Sequence, residues 1–109
     1  WADYPDSRKR LLDLIARTKK TGVLFLSGDR HMAEISRLEY AGTSVTEVTS
    51  SGMTHFRHDS NNEKNSLRIG EFFAGLNFGT LEIDWELKKI SIATRDSAGS
   101  VVRNTEVRF

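Results

Sequence analysis

Val23-Leu24-Phe25-Leu26-Ser27-Gly28-Asp29-Arg30-His31 is the stretch on which the reading of this chain turns. Four apolar residues follow one another without alternation. That predicts a strand over 23–27, buried on both faces inside a helix-covered sheet. Gly28 lets the chain turn sharply where the strand ends. Asp29 and His31 then stand just past the carboxyl end of the strand, the rim at which open α/β sheets bind ligands. A carboxylate and an imidazole two residues apart on a tight turn can face one cavity, as half of a metal site. The same residues beside a glycine are also ordinary turn formers, and so short a pattern does not separate the two readings.

Upstream, residues 6–20 read as a helix. Asp6 or Ser7 can cap its first N–H groups, with Pro5 at the entry. Leu11, Leu14, Ile15 and Thr18 form one stripe, widened by Leu12. Arg17, Lys19 and Lys20 suit the negative end of the helix dipole, and Gly22 can end the helix. Nothing in this segment requires more than a helix that covers a core.

Downstream, Met32, Ile35 and Leu38 recur every three residues, which favours a short helix over 32–38. Glu34 lies off that stripe. It can turn back towards Asp29 and His31, or serve as a capping or solvent residue. Thr43 to Thr49, rich in Thr and Val, predicts a strand. Ser50-Ser51-Gly52 signals a loop. His55 and His58 follow on either side of Phe56-Arg57, where a histidine is ordinarily just exposed. Residues 59–66 contain no apolar member and read as a solvated loop. They lack the D-x-D-x-D-G spacing of a calcium loop.

The remainder reads as β. Leu81, Ile83 and Trp85 alternate with Glu82 and Asp84, the period of a half-buried strand. Glu86-Leu87-Lys88 turns the chain, and Ile90 and Ile92 alternate in the next strand. Asp96-Ser97-Ala98-Gly99 makes a second turn. Val101 to Val107 completes a three-strand antiparallel meander. The fold class is therefore mixed, α/β shading into α+β: a helix, a buried strand, a short helix, then antiparallel strands, all in one domain over 1–109.

The composition fits a small globular chain. Its 109 residues are 38% hydrophobic and 28% charged, with a net charge of +1. That balance argues against a strong nucleic-acid or membrane-surface field. No apolar run approaches the ~18 residues of a membrane span. Cysteine is absent, so a metal here would use N and O ligands. Trp1-Ala2-Asp3 carries no signal-peptide pattern, which does not locate a parent protein if the chain begins within one.

Several motifs resemble one family. Gly28-Asp29-Arg30-His31 with Met32-Ala33-Glu34 is similar to the G-D-x-H-x-A-E signature of alkaline phosphatase D-like enzymes. These belong to the calcineurin-like metallophosphoesterases. Trp1-Ala2-Asp3-Tyr4-Pro5 with Arg10-Leu11-Leu12 resembles the family's approach to the preceding helix. Val48-Thr49-Ser50-Ser51-Gly52-Met53-Thr54-His55 resembles its V-T-S-S-G-x-T-H stretch. Asn77-Phe78-Gly79 and Glu82-Ile83-Asp84-Trp85 resemble its N-F-G and I-D-W pattern. The motifs occur in order over nearly the whole chain.

The resemblance implies a four-layer αββα sandwich, of which this chain would supply the C-terminal part. It implies a metal-dependent phosphoesterase, acting on phosphate monoesters or diesters through two metal ions. Asp29 and His31 would be the last, terminal ligands, and His55 and Glu34 candidates for the substrate rim. The ions would be divalent or trivalent, among Fe, Mn, Zn and Ca.

The upstream ligand motifs D-x-H, G-D-x-x-[DY] and G-N-[HD] do not precede Asp29. The chain alone is therefore expected to be inactive, and its sheet to be covered by the missing N-terminal part of the domain or by a partner chain. A non-catalytic interaction module derived from the same fold is the alternative. A nucleic-acid-directed member of the superfamily is weaker, because no basic stripe with interleaved aromatics is present.

Overall fold

The computed structural model describes residues 3–58 and 63–109. It contains one helix, α1 (Pro5–Thr18), and six strands: β1 (Val23–Ser27), β2 (Ala33–Tyr40), β3 (Thr43–Ser50), β4 (Asn77–Asp84), β5 (Lys89–Asp96) and β6 (Val101–Arg108). The chain is a small α+β protein, mostly strand, with two three-stranded sheets ordered β1-β3-β2 and β4-β5-β6.

In α1, Pro5 sits at the first helical position, where its missing N–H costs nothing. The helix follows Tyr4 without a side-chain cap, so neither Asp6 nor Ser7 plays the capping role expected of it. Lys19, in the left-handed region at φ 53°, ends the helix three residues before Gly22. Gly22 answers a different need. At φ 73°, it lies so close to the chain end that a β-carbon there would stand 2.8 Å from Cα of Phe109. Leu12 is buried but Leu14 is exposed, so the apolar stripe is narrower than expected. The Tyr40 hydroxyl donates to Oδ1 of Asp13 at 2.7 Å and ties the helix to β2.

β1 runs parallel to β3, whereas β2 and β3 form an antiparallel hairpin. Its turn carries positive φ at Ala41 (48°) and Gly42 (79°), the twist that suits a two-residue hairpin. Two expectations are corrected here. Residues 33–40 form a strand, not a short helix. And β1 is not buried on both faces: it is the edge of its sheet, and Leu26 is 63% exposed.

The opposite edge of that sheet is covered. The N–H of Arg37 donates to the Leu67 carbonyl at 2.9 Å, the N–H of Ile69 to the Ile35 carbonyl at 2.8 Å, and Ala33 and Phe73 exchange two bonds. Residues 67–73 thus follow β2 as an irregular fourth line of backbone.

β4, β5 and β6 form the expected antiparallel meander. Its turns are held by aspartates. Oδ1 of Asp84 accepts the N–H of Leu87 at 2.8 Å, and Oδ1 of Asp96 accepts those of Ala98 and Ser100 at 2.9 Å.

The two sheets meet through Ile35, Val48, Ile92 and Val107, with Leu24, Ile69 and Ile90 packed around them. That apolar layer is not closed. Leu81 and Ile83 of β4 are 41% and 48% exposed, and Trp85 more so, contrary to the half-buried strand expected. The radius of gyration is 14.5 Å, above the ~13 Å of a compact domain of this length. The excess fits thin layers with one open side.

Candidate functional site

The turn after β1 is where the separate motifs meet. Asp29 and His31 both occupy the left-handed region, at φ 69° and 54°. Few non-glycine residues do so, and such a conformation persists only where neighbours enforce it. For His31 those neighbours come from residues 51–57. The backbone N–H of His31 donates to Oγ of Ser51 at 3.0 Å. Its carbonyl accepts the N–H of Arg57 at 3.0 Å, and the Met32 carbonyl accepts the N–H of Ser51 at 3.1 Å. The His55 ring packs on the His31 ring, with centroids 3.8 Å apart and planes tilted by 59°. Nδ1 of His55 in turn lies 2.9 Å from the hydroxyl of Thr54.

A third motif anchors that loop from below. Asn77, buried at the start of β4, accepts at Oδ1 from Oγ of Ser50 at 3.0 Å and from the N–H of Gly52 at 3.3 Å. Its Nδ2 donates to the Gly75 carbonyl at 2.7 Å, and its own N–H donates to the Gly52 carbonyl at 3.0 Å. Residues near 30, 50 and 77 are thereby assembled into one place at the carboxyl end of a parallel strand.

The predicted site residues fall into two groups. His31 is half-buried and His55 exposed, and their rings are in contact. Asp29 is exposed on the same turn. His58 packs instead on Phe56, at 4.4 Å.

Glu34 does not join them. Its side chain is 3% exposed and is held by an ion pair with Arg68. Nδ2 of Asn65 donates to Oε1 at 2.8 Å, and Arg30 stands 3.9 Å away. Arg30 also pairs with Glu63. Glu34 is thus neither a solvent residue nor a helix cap but the centre of a buried polar cluster on the face of β2 towards α1.

Sequence reading missed its partners. Asn65 belongs to the polar run expected to be wholly solvated, whose residues 59–62 lie outside the described residues. No local signal links Asn65 or Arg68 to Glu34 across more than thirty positions.

A carboxylate at Asp29 and imidazoles at His31 and His55 are donors of the right chemistry for an N/O-bound cation. Among the described residues, however, no three or more such side chains gather to hold one. The turn fits part of a metal centre, not a complete one. Among the described residues no helix is long and apolar enough to cross a membrane. No family model, curated protein or solved structure matches the chain.

Proposed function

We propose that this chain is the C-terminal part of a metal-dependent phosphoesterase of the alkaline phosphatase D-like type, within a four-layer αββα sandwich. The observation that carries this reading is the meeting of Gly28–His31, Ser50–His55 and Asn77 at the carboxyl end of β1. Asp29 and His31, two residues apart and both at positive φ, put a carboxylate and an imidazole on one short turn at that place.

Asp29 and His31 would supply terminal ligands, and the further ligands would come from outside these residues. Bound metal ions would acidify a water and neutralise phosphate oxygens. The chain's own contribution would be to hold the His31 donor in place, with both of its backbone polar groups already satisfied, and to carry Asp29 on the same turn. His55, exposed beside it, would face an approaching phosphate ester. His31 coordinates only as the neutral imidazole, so acidification opposes metal binding.

The open side of the molecule favours a partner. The remaining part of the domain, or a separate chain, would cover the apolar layer left bare at Leu26, Leu81 and Ile83. The same open edge also supports the second reading, a non-catalytic module that binds a partner through its sheet.

Metal content by mass spectrometry, with hydrolysis of p-nitrophenyl phosphate, separates the two in the complete protein. His31→Ala is expected to lower metal affinity and turnover by at least about 100-fold, the upper range for losing even an outer partner of a metal site. Unchanged turnover would sink the ligand assignment. A complete protein with neither metal nor turnover would favour the module.

A further inference from the structure

We propose that His55 is a positioning residue for His31: its ring, packed on that of His31, fixes the direction in which the His31 imidazole points. The inference deepens the function proposed above and rests, for its chemical meaning, on His31 acting as a ligand.

Two separate constraints act on His31. Its backbone is clamped at both ends, with the N–H on Ser51 and the carbonyl on the N–H of Arg57. This fixes a left-handed residue at φ 54° but leaves the side-chain torsions free. The second constraint is the ring contact, at 3.8 Å between centroids. An imidazole on a half-buried turn has several staggered choices, and a ring laid against it removes those that would collide.

His55 can serve this way because it is held in its turn. Its Nδ1 lies 2.9 Å from the Thr54 hydroxyl. Its loop is pinned through Gly52 to the buried Asn77. The chain of constraint therefore runs from the core, through Asn77 and the loop, to His55 and then to His31. A contact made by the body of a tilted ring needs an aromatic at 55, not a metal-binding nitrogen. That distinguishes a positioning residue from a ligand, and a ligand from a residue that merely faces substrate.

Isotope-labelled histidine in the complete protein allows the test, because the Hα–Hβ couplings of His31 report which side-chain rotamer it holds and, unlike its chemical shifts, do not change merely because a neighbouring ring current is lost. Zn²⁺ affinity by competition with a chromophoric chelator is the second readout. His55→Ala is expected to average the His31 couplings towards those of a freely rotating side chain and to weaken Zn²⁺ about tenfold. His55→Phe is expected to keep the couplings of a single rotamer and to restore affinity to within about threefold of the parent.

His31 couplings that do not change in His55→Ala overturn the proposal. So does a Phe variant as weak in Zn²⁺ as the Ala variant, which would make His55 a ligand. Couplings that change as expected in a protein that binds no Zn²⁺ leave His55 as the positioner of His31 and overturn the metal reading alone.

Discussion

The side chain of Asn77 occupies the space in which a β-carbon on Gly52 would have to sit. A methyl at position 52 would also stand 2.9 Å from the Gly75 carbonyl. Gly52 is thus required by close approach, since its φ does not lie in the left-handed region. Gly52→Ala is expected to expel the Asn77 amide and orphan the hydrogen bonds it makes to Ser50, Gly52 and Gly75, costing about 2–4 kcal/mol. Urea denaturation measures this. Gly42→Ala is the internal control: φ is 79° there but nothing lies within 4 Å, so only the backbone penalty of about 1 kcal/mol applies. Equal losses at the two positions would show that packing against Asn77 contributes nothing.

Glu34 should behave as a buried charge whose partner is only partly buried. Arg68 retains 18% side-chain exposure against 3% for Glu34. Glu34→Ala takes from Arg68 and Asn65 their carboxylate acceptor, leaving them the Glu63 carbonyl and the Ser36 hydroxyl, and is expected to cost about 3 kcal/mol, the low end for breaking a buried pair, because Arg68 can also recover some hydration. Glu34→Gln keeps the volume and one acceptor, and is expected to lose about half as much. A double-mutant cycle with Arg68→Met, followed by guanidinium denaturation, should give a coupling of about 1–3 kcal/mol. Additive losses would mean that the pair holds nothing together.

The same cluster shows where sequence reading reached its limit. The meander from β4 to β6 was legible because its strands alternate and its turns are local, each held by an aspartate within four residues. β1 was legible as a strand but not as an edge. An unbroken apolar run reports burial tendency and cannot count neighbours, and among the described residues only β3 pairs with it. Residues 33–40 were misread because Met32, Ile35 and Leu38 satisfy a helical period by coincidence. In the strand, Ile35 faces the second sheet, while Glu34 and Ser36 are buried on the other face by Asn65 and Arg68. Charged and polar residues on a covered face disguise the period of two. For the site, the Asp29 and His31 turn was visible, whereas its closure by Ser51 and Asn77 depends on tertiary contact alone.

Tyr40 gives the helix a pH-dependent attachment. Asp13 is held below the usual carboxylate range, first by its hydrogen bond to Lys9 and then by that from Tyr40. Tyr40 is raised above its ordinary value of 10.0, chiefly by donating to Asp13. The signs differ. Stability from Asp13 is present above the ordinary carboxylate value and is lost as the pH falls through its depressed folded value. Stability from Tyr40 is present below pH 10 and is lost as the pH rises through its raised folded value. Tyr40→Phe is therefore expected to flatten the alkaline side of the Tm profile and to shrink the acid side, where Lys9 still holds Asp13. A profile that is merely displaced, with unchanged slopes on both sides, would rule out this linkage.

Ile83 tests the open edge. It lies on β4, the outer strand of its sheet, opposite Ile90 in register, and is 48% exposed. Leu81 and Leu26 carry the same apolar surface towards β1, so among the described residues β1 and β4 are edge strands beside exposed aliphatic side chains. Strand edges of this kind recruit other strands. The 109-residue chain by itself is expected to self-associate in sedimentation velocity as its concentration rises. Ile83→Lys places a charge on the edge while leaving Ile35, Val48, Ile92 and Val107 untouched. It should therefore restore a monomer and change unfolding stability by no more than about 1 kcal/mol, as is usual for a substitution outside the core. Association that survives the lysine would locate the sticky surface elsewhere, with exposed Trp85 and Leu87 at the end of β4 the next to substitute. A loss well above 1 kcal/mol would instead mean that Ile83 belongs to the core of the chain as it stands, and that the inter-sheet layer needs no further segment to close it.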